Sequence, residues 1–235
     1  MRIMVIAPGS MSPEEIKMRE DYAASLCSSE IKVVAVEGPP SLTDDATLGL
    51  LVPGVIKRAK EANREGYDAV VIHCFADIGI DGAKTVADIP VVGAAESVYR
   101  VASLLADKFG LVTARDEYIP SFYRRARVLG VSDRIVSAKS INIPILELRQ
   151  RKDEVEARFI EKIREAIRDG AEIIIVGCLA ILPTLGKGSA RRLSEKLGVQ
   201  IIDGTATALR VAELLVNLNL SQSRLCFPRA AEAWV

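Results

Sequence analysis

Short runs of β-favouring apolar residues alternate with longer stretches of helical periodicity along the whole chain. Arg2 to Ala7 reads as a first strand and stops at Pro8-Gly9-Ser10. Ser12-Pro13-Glu14-Glu15 has the form of a capping box with proline in the first helical position, so a helix starts there, with Ile16, Ala23 and Leu26 as its apolar stripe. Ile31 to Val36 is a second strand, ended by Gly38-Pro39-Pro40. Thr43-Asp44-Asp45 caps a helical region that runs to Gly66, and Pro53 inside it is expected to break or kink the helix. Past that proline Val55, Ile56, Ala59 and Ala62 face inward, while Lys57, Arg58, Lys60, Glu61 and Arg64 face water. A third strand then leads to Cys74, a short helix covers Gly82 to Ala87, and Ile89 to Gly93 is a fourth strand.

The second half repeats the order. A helix from about Glu96 to Lys108 precedes a strand at Phe109 to Thr113, and Tyr118 to Leu129 is helical until Gly130 stops it. Arg134 to Ala138 is a strand, Asp153 to Arg168 a long amphipathic helix closed by Gly170. The strand leading to Cys178, a helix over Ser189 to Leu197, a strand from Val199 to Asp203 and a final helix from about Thr205 to Leu218 complete the series. Strands alternating with helices predict an α/β fold of two pseudo-symmetric lobes, each a mainly parallel four-stranded sheet flanked by helices. The expected division is 1–97 plus about 205–235 for one lobe and 98–204 for the other, an internal duplication with the site in the cleft between the lobes.

The duplication is sharpest around two cysteines. Asp68-Ala-Val-Val-Ile-His-Cys-Phe-Ala-Asp77 is echoed by Ala171-Glu-Ile-Ile-Ile-Val-Gly-Cys-Leu-Ala180, and Cys74 and Cys178 stand 104 residues apart. Each is a thiol delivered by a buried strand to its carboxyl end, where open α/β sheets bind ligands. Two thiols flanking one small molecule can invert a carbon: one thiolate removes a proton and the opposite thiol delivers one to the other face. Cysteine suits both roles because its reference pKa, about 8.5, keeps either protonation state within reach. A neighbouring carbonyl makes such a proton acidic, and backbone N–H groups in the turns after the cysteines can hold the resulting enolate, so no cofactor is needed. Either cysteine alone would read as a small buried hydrophobe; equal placement in a repeated unit tips the pair towards chemistry. Cys27 and Cys226 lack that placement and read as structural.

The only histidine, His73, is next to Cys74 but should point to the opposite face of the strand, as a core residue. Ser10 either lines the cleft or satisfies a backbone group. Thr113 ends the strand that corresponds to the first and either takes the matching cleft position or is an ordinary strand-end threonine. Glu96 and Asp203 fit helix caps as well as ligand contacts, Asp77 reads as turn chemistry, and Gly186-Lys187-Gly188 lacks phosphate-loop spacing and reads as a loop.

Composition removes several classes of function. The 235 residues are 49% hydrophobic and 26% charged, with 31 basic and 31 acidic side chains, so there is an adequate core and no net attraction to nucleic acid or anionic membrane. Arg124-Arg125-Ala-Arg127 and Arg191-Arg192 lie in helical patterns and read as solvated faces. The chain starts directly in a strand, and its longest uncharged apolar run, Ile173 to Leu185, is shorter than the ~20 residues of a membrane helix. A cytoplasmic protein with four thiols and no metal site is expected.

The segments Tyr67 to Gly79, Ile89-Pro-Val-Val-Gly-Ala-Ala-Glu96, Gly110-Leu-Val-Thr113, Ile175-Val-Gly-Cys178 and Ile202 to Glu213 together resemble the aspartate/glutamate/hydantoin racemase superfamily, most of all its hydantoin and allantoin racemase branch. The resemblance implies a cofactor-independent isomerase of a small-molecule substrate, a carbonyl-bearing amino-acid derivative, and a homo-oligomer; the apolar tail with Trp234 is suited to an interface. It makes Cys74 and Cys178 the acid/base pair and places Pro8, Gly9, Ser10, Phe75, Ala76, Thr113, Leu179 and Ala180 around the substrate. The chain departs from the branch at Ala7-Pro8-Gly9, where polar asparagines are usual, and at Leu179-Ala-Ile-Leu-Pro183, where a glycine-containing stretch is usual. A more apolar pocket follows, and with it an apolar substituent on the substrate. Rival readings are an aspartate or glutamate racemase, a maleate isomerase with a nucleophilic cysteine, an arylmalonate-type decarboxylase, which would need only one cysteine, and a non-catalytic two-lobed binding protein. Reactive, ligand-protected thiols separate the enzymes from the binder.

Overall fold

The computed structural model describes residues 1–39 and 44–231, so Pro40, Thr43 and Trp234 lie outside the described residues. Two compact units emerge, Met1–Ala94 with Ala208–Val235 and Ala95–Thr207. In the first, β1 (Arg2–Pro8), α1 (Pro13–Ala24), β2 (Glu30–Val36), α2 (Asp45–Arg64), β3 (Ala69–Ile72), α3 (Ile80–Val86) and β4 (Val91–Gly93) follow in order. The chain continues as α4 (Ala94–Leu105), β5 (Phe109–Thr113), α5 (Ile119–Val128), β6 (Ile135–Ser140), α6 (Lys152–Arg168), β7 (Ile173–Val176), α7 (Ile181–Leu185), α8 (Ser189–Leu197), β8 (Gln200–Ile202) and α9 (Gly204–Asn217). Each unit has a four-stranded sheet, β2-β1-β3-β4 and β6-β5-β7-β8, in which every pairing is parallel. The fold is α/β, with the strand order of one sheet repeated in the other.

The sequence signals explain the elements. β3 and β7 are buried along their whole length, as expected of central parallel strands with helices on both faces. Ser12 and Glu15 form the capping box, with Glu15 N–H donating to Ser12 Oγ at 3.2 Å and Ser12 N–H to Glu15 Oε2 at 3.1 Å. Asp44 and Thr47 make the same reciprocal pair at the start of α2. Helix α2 runs unbroken through Pro53, so of the expected break or kink the break does not occur. Leu51 and Val55, both fully buried, anchor it on either side of the proline, and Gly54 is packed onto the Val36 side chain, so tertiary contact outweighs the lost N–H. Helix α7 forms between the Cys178 turn and Gly186, where the sequence pattern assigned no element; Pro183 is in its first turn, where no intrahelical N–H is missed.

The segment after α9 straps the edge strand of the first sheet. Gln222 Oε1 accepts from Val91 N–H at 3.1 Å, and its amide donates to Ala87 O and Ile89 O. Arg224 reaches Lys84 O, Ala87 O and Asp88, and Arg229 also pairs with Asp88. The Val91 N–H of β4 is thereby closed to another chain. Among the described residues no helix is long and apolar enough to cross a membrane.

Candidate functional site

The two cysteines leave their sheets in the same way. His73 N–H donates to Ile6 O at 2.8 Å, and Gly177 N–H to Val112 O at 2.8 Å, so each strand is held to its neighbour up to the residue before the cysteine. Each cysteine carbonyl then accepts from the amide three residues on, Asp77 N–H at 3.0 Å and Ile181 N–H at 3.1 Å. Both thiols are thus fixed at a strand's carboxyl end on a tight turn. All four cysteines are thiols; Cys178 is buried and Cys74 half-buried.

Register brings further residues level with them. Ile6 pairs with Ile72, which sets Pro8 beside Cys74, and Val112 pairs with Val176, which sets Thr113 beside Gly177. In the first unit Pro8 and Gly9 are buried; Gly9 has φ 97° and bridges to Val36, a conformation glycine adopts without strain. Ser10 is exposed, and its hydroxyl clasps Gly38, donating to its carbonyl at 2.7 Å and accepting from its N–H at 3.1 Å. Phe75 is buried to 3% exposure, and Ala76 packs on the core of α2 and β3. In the second unit Leu179 lies against Gly204, where an added Cβ would come within 2.5 Å of its Cδ2, and Ala180 is buried. Thr113 is fully buried, and its hydroxyl finds no hydrogen-bond partner among the described residues. A buried hydroxyl in that state costs free energy, and the side chain shares the Gly177 face, 3.3 Å from where a Cβ there would stand.

His73 faces away from the thiol. Cys74 packs with the cluster of Met4, Ile6, Val70 and Ile72, whereas His73 feels the Arg19 guanidinium of α1. Burial, and after it the Arg19 charge, push the His73 pKa down to about 3, so the ring is neutral near pH 7 and carries no proton for an acid step. The position equivalent to His73 is Gly177, where a Cβ would meet Leu111 at 2.8 Å and Phe122 of α5 at 2.9 Å. The residue before each cysteine therefore faces one particular helix, α1 in the first unit and α5 in the second.

Asp203 is a helix cap: its Oδ1 accepts from Thr205 N–H at 2.9 Å and Ala206 N–H at 3.1 Å. Glu96 pairs with Arg125 at 3.4 Å, with side-chain exposures of 21% and 13%, so Arg125 is not part of a solvated face as its basic run had indicated. Asp77, read from sequence as turn chemistry alone, is buried with φ 47° and its carboxyl lies against Gly93. Nothing in the local sequence signals that contact. Among the described residues no three His, Cys, Asp or Glu side chains gather as metal ligands. A groove of about 530 Å³ beside β6 and α6 contains neither cysteine, and its cations Lys139, Arg158 and Lys162 are paired with Asp169, Glu154 and Glu165.

Comparison with known proteins adds to this geometry. The family model described as Asp/Glu/Hydantoin racemase matches residues 3–212. A hydantoin racemase from a Pseudomonas species is 33% identical over 229 residues, covering 96% of this chain and 90% of that protein. The solved structure of allantoin racemase from Klebsiella pneumoniae superposes with a TM-score of 0.86 at 26% identity, covering 98% of this chain and 94% of that one. Unliganded arylmalonate decarboxylase is similar in fold, with a TM-score of 0.63 at 15% identity over 92% of each chain.

Proposed function

Because the chain belongs to the Asp/Glu/hydantoin racemase family, we propose that it racemises a 5-substituted hydantoin, allantoin or a related amino-acid derivative by a two-thiol, cofactor-independent route. The observation that carries this reading is the repeated cysteine turn, with the same strand, the same amide bond to the neighbouring strand and the same bond closing the turn in both units. The family relatives named for hydantoin and allantoin supply the substrate class.

In the proposed reaction one cysteine thiolate takes the proton from the carbon next to the carbonyl and becomes a thiol. The electron pair moves into an enolate, whose oxygen is held by turn amides after the cysteines. The second cysteine, protonated at the start, donates its proton to the opposite face and becomes the thiolate. The product is the mirror-image substrate, and the protonation states of the two cysteines have exchanged. Reversal of the roles serves the other enantiomer. The buried Pro8-Gly9 turn and the buried run from Leu179 to Leu182 favour an apolar substituent on the ring.

The test is polarimetric. Single-enantiomer 5-alkyl hydantoins and allantoin are incubated with the protein in deuterated water. Loss of optical rotation with deuterium entering the stereocentre is the expected result. Rotation that persists on every substrate, while the thiols remain reactive and ligand-protected, would discard the substrate class; thiols inert to alkylation would discard the racemase reading itself.

A further inference from the structure

The starts of α4 and α9 occupy equivalent places but are built differently. Ile175 pairs with Ile202 as Val71 pairs with Val92, so Asp203 before α9 corresponds to Gly93 before α4. Asp203 caps its own helix with its carboxylate. Gly93 has no side chain, yet its side-chain space is filled: a Cβ there would lie 2.5 Å from both Cγ and Oδ1 of Asp77.

Asp77 is an unlikely tenant on local grounds. A carboxylate buried to 3% exposure on a left-handed backbone, φ 47°, is costly on both counts. The turn does not need it, because Ile181 closes the equivalent turn on Cys178 with the same amide bond and opens α7 directly. The side chain therefore serves something other than the turn's own hydrogen bond. We infer that the Asp77 carboxylate is the surrogate N-cap of α4, standing in the space of the side chain Gly93 lacks, and that this contact makes Asp77 a positioning residue for Cys74. The link to the thiol is short: Asp77 N–H donates to Cys74 O, and Asp77 O accepts from Ile80 N–H at the start of α3. One residue thus joins the cysteine turn, α3 and the end of β4. The inference deepens the two-thiol reading, since only a reactive Cys74 gives that positioning a purpose.

A transplanted cap tests it. In the double variant Asp77→Ala/Gly93→Asp the carboxylate moves from the turn to the N-cap residue, the arrangement Asp203 already uses. The readout is the iodoacetamide alkylation rate of Cys74 and of Cys178, measured separately by peptide mass spectrometry, which needs no substrate. Asp77→Ala is expected to speed alkylation of Cys74 about fivefold, the size of a lost cap, with Cys178 unchanged. Asp77→Asn, which keeps an acceptor, lies close to wild type. Gly93→Asp alone collides with Asp77 and lowers the melting temperature. The double variant is expected to return the Cys74 rate to within about twofold of wild type. A double variant no nearer wild type than Asp77→Ala, or equal acceleration at both cysteines, overturns the inference. If Asp77→Ala does not fold, recovery of folding in the double variant supports it and failure to recover rejects it. A protein that leaves every hydantoin unchanged but shows this cysteine-specific pattern rejects the substrate class and keeps the cap.

Discussion

The turn at Cys74 and the turn at Cys178 share a hydrogen-bond scheme and differ in almost every side chain around it. Before the first cysteine stands a buried, neutral histidine facing Arg19; before the second stands a glycine pressed onto Phe122. After the first the chain passes through the strained Asp77 and the left-handed Gly79 before α3 begins; after the second it enters α7 at once. Where strands β1 and β5 end, Ala7 in one unit corresponds to Thr113, with its unmet hydroxyl, in the other. What is common to the halves is what delivers a thiol, and what differs gives the thiols unequal surroundings.

The comparison is broken most severely at the thiols themselves. Cys74→Ala and Cys178→Ala should each lower the racemisation rate by about 10²–10⁴-fold, the usual contribution of an acid or base, when followed by rotation and deuterium uptake. Equal, large losses establish that both turns act in one reaction; loss at only one would leave a single-cysteine enzyme.

The next largest difference is the histidine. Its folded pKa of about 3 lies below its ordinary 6.5, so between those values the unfolded chain binds the extra proton and the folded chain does not. Stability therefore rises with pH through that window and is lost as pH falls, by about 1.4 kcal/mol per pH unit at most from this group. Urea titrations of wild type and His73→Asn at pH 4 to 7 should show a shallower slope in the variant, while the pH–rate profile near neutrality keeps its shape. A neutral-pH limb that vanishes with His73→Asn would show the ring taking part in catalysis.

Gly177 probes the other side of the same position. Gly177→Val drives a side chain into Leu111 and Phe122 and is expected to cost about 1–3 kcal/mol in chemical denaturation. Thr113→Val should leave unfolding stability unchanged or slightly improved, since a buried unmet hydroxyl disappears, while kcat/KM stays within about twofold because the side chain shares the Gly177 face. Equal loss of stability and activity would mean the hydroxyl has a structural partner after all. Ser10→Ala removes the clasp on Gly38 and is expected to cost about 1 kcal/mol of stability or less, with a KM effect only if the Pro8–Ser10 turn touches substrate.

Much of this molecule is legible without coordinates. The alternation of apolar runs and amphipathic stretches determines eight parallel strands in two sheets among the described residues, because buried parallel strands and two-faced helices leave distinct periodicities. The 104-residue offset between Cys74 and Cys178 is a property of the string of residues, and it selects both thiols before any distance is known. The facing of His73 away from Cys74 follows from the two-residue period of a strand alone. Where one chain segment meets another far along the sequence, local pattern is silent. Helix α2 survives Pro53 because Leu51 and Val55 are buried on either side of it. Arg125 leaves its basic run to pair with Glu96, and Asp77 fills the space beside Gly93. Those outcomes are settled by packing and by which buried charge finds which partner, and only the tertiary structure brings the partners together.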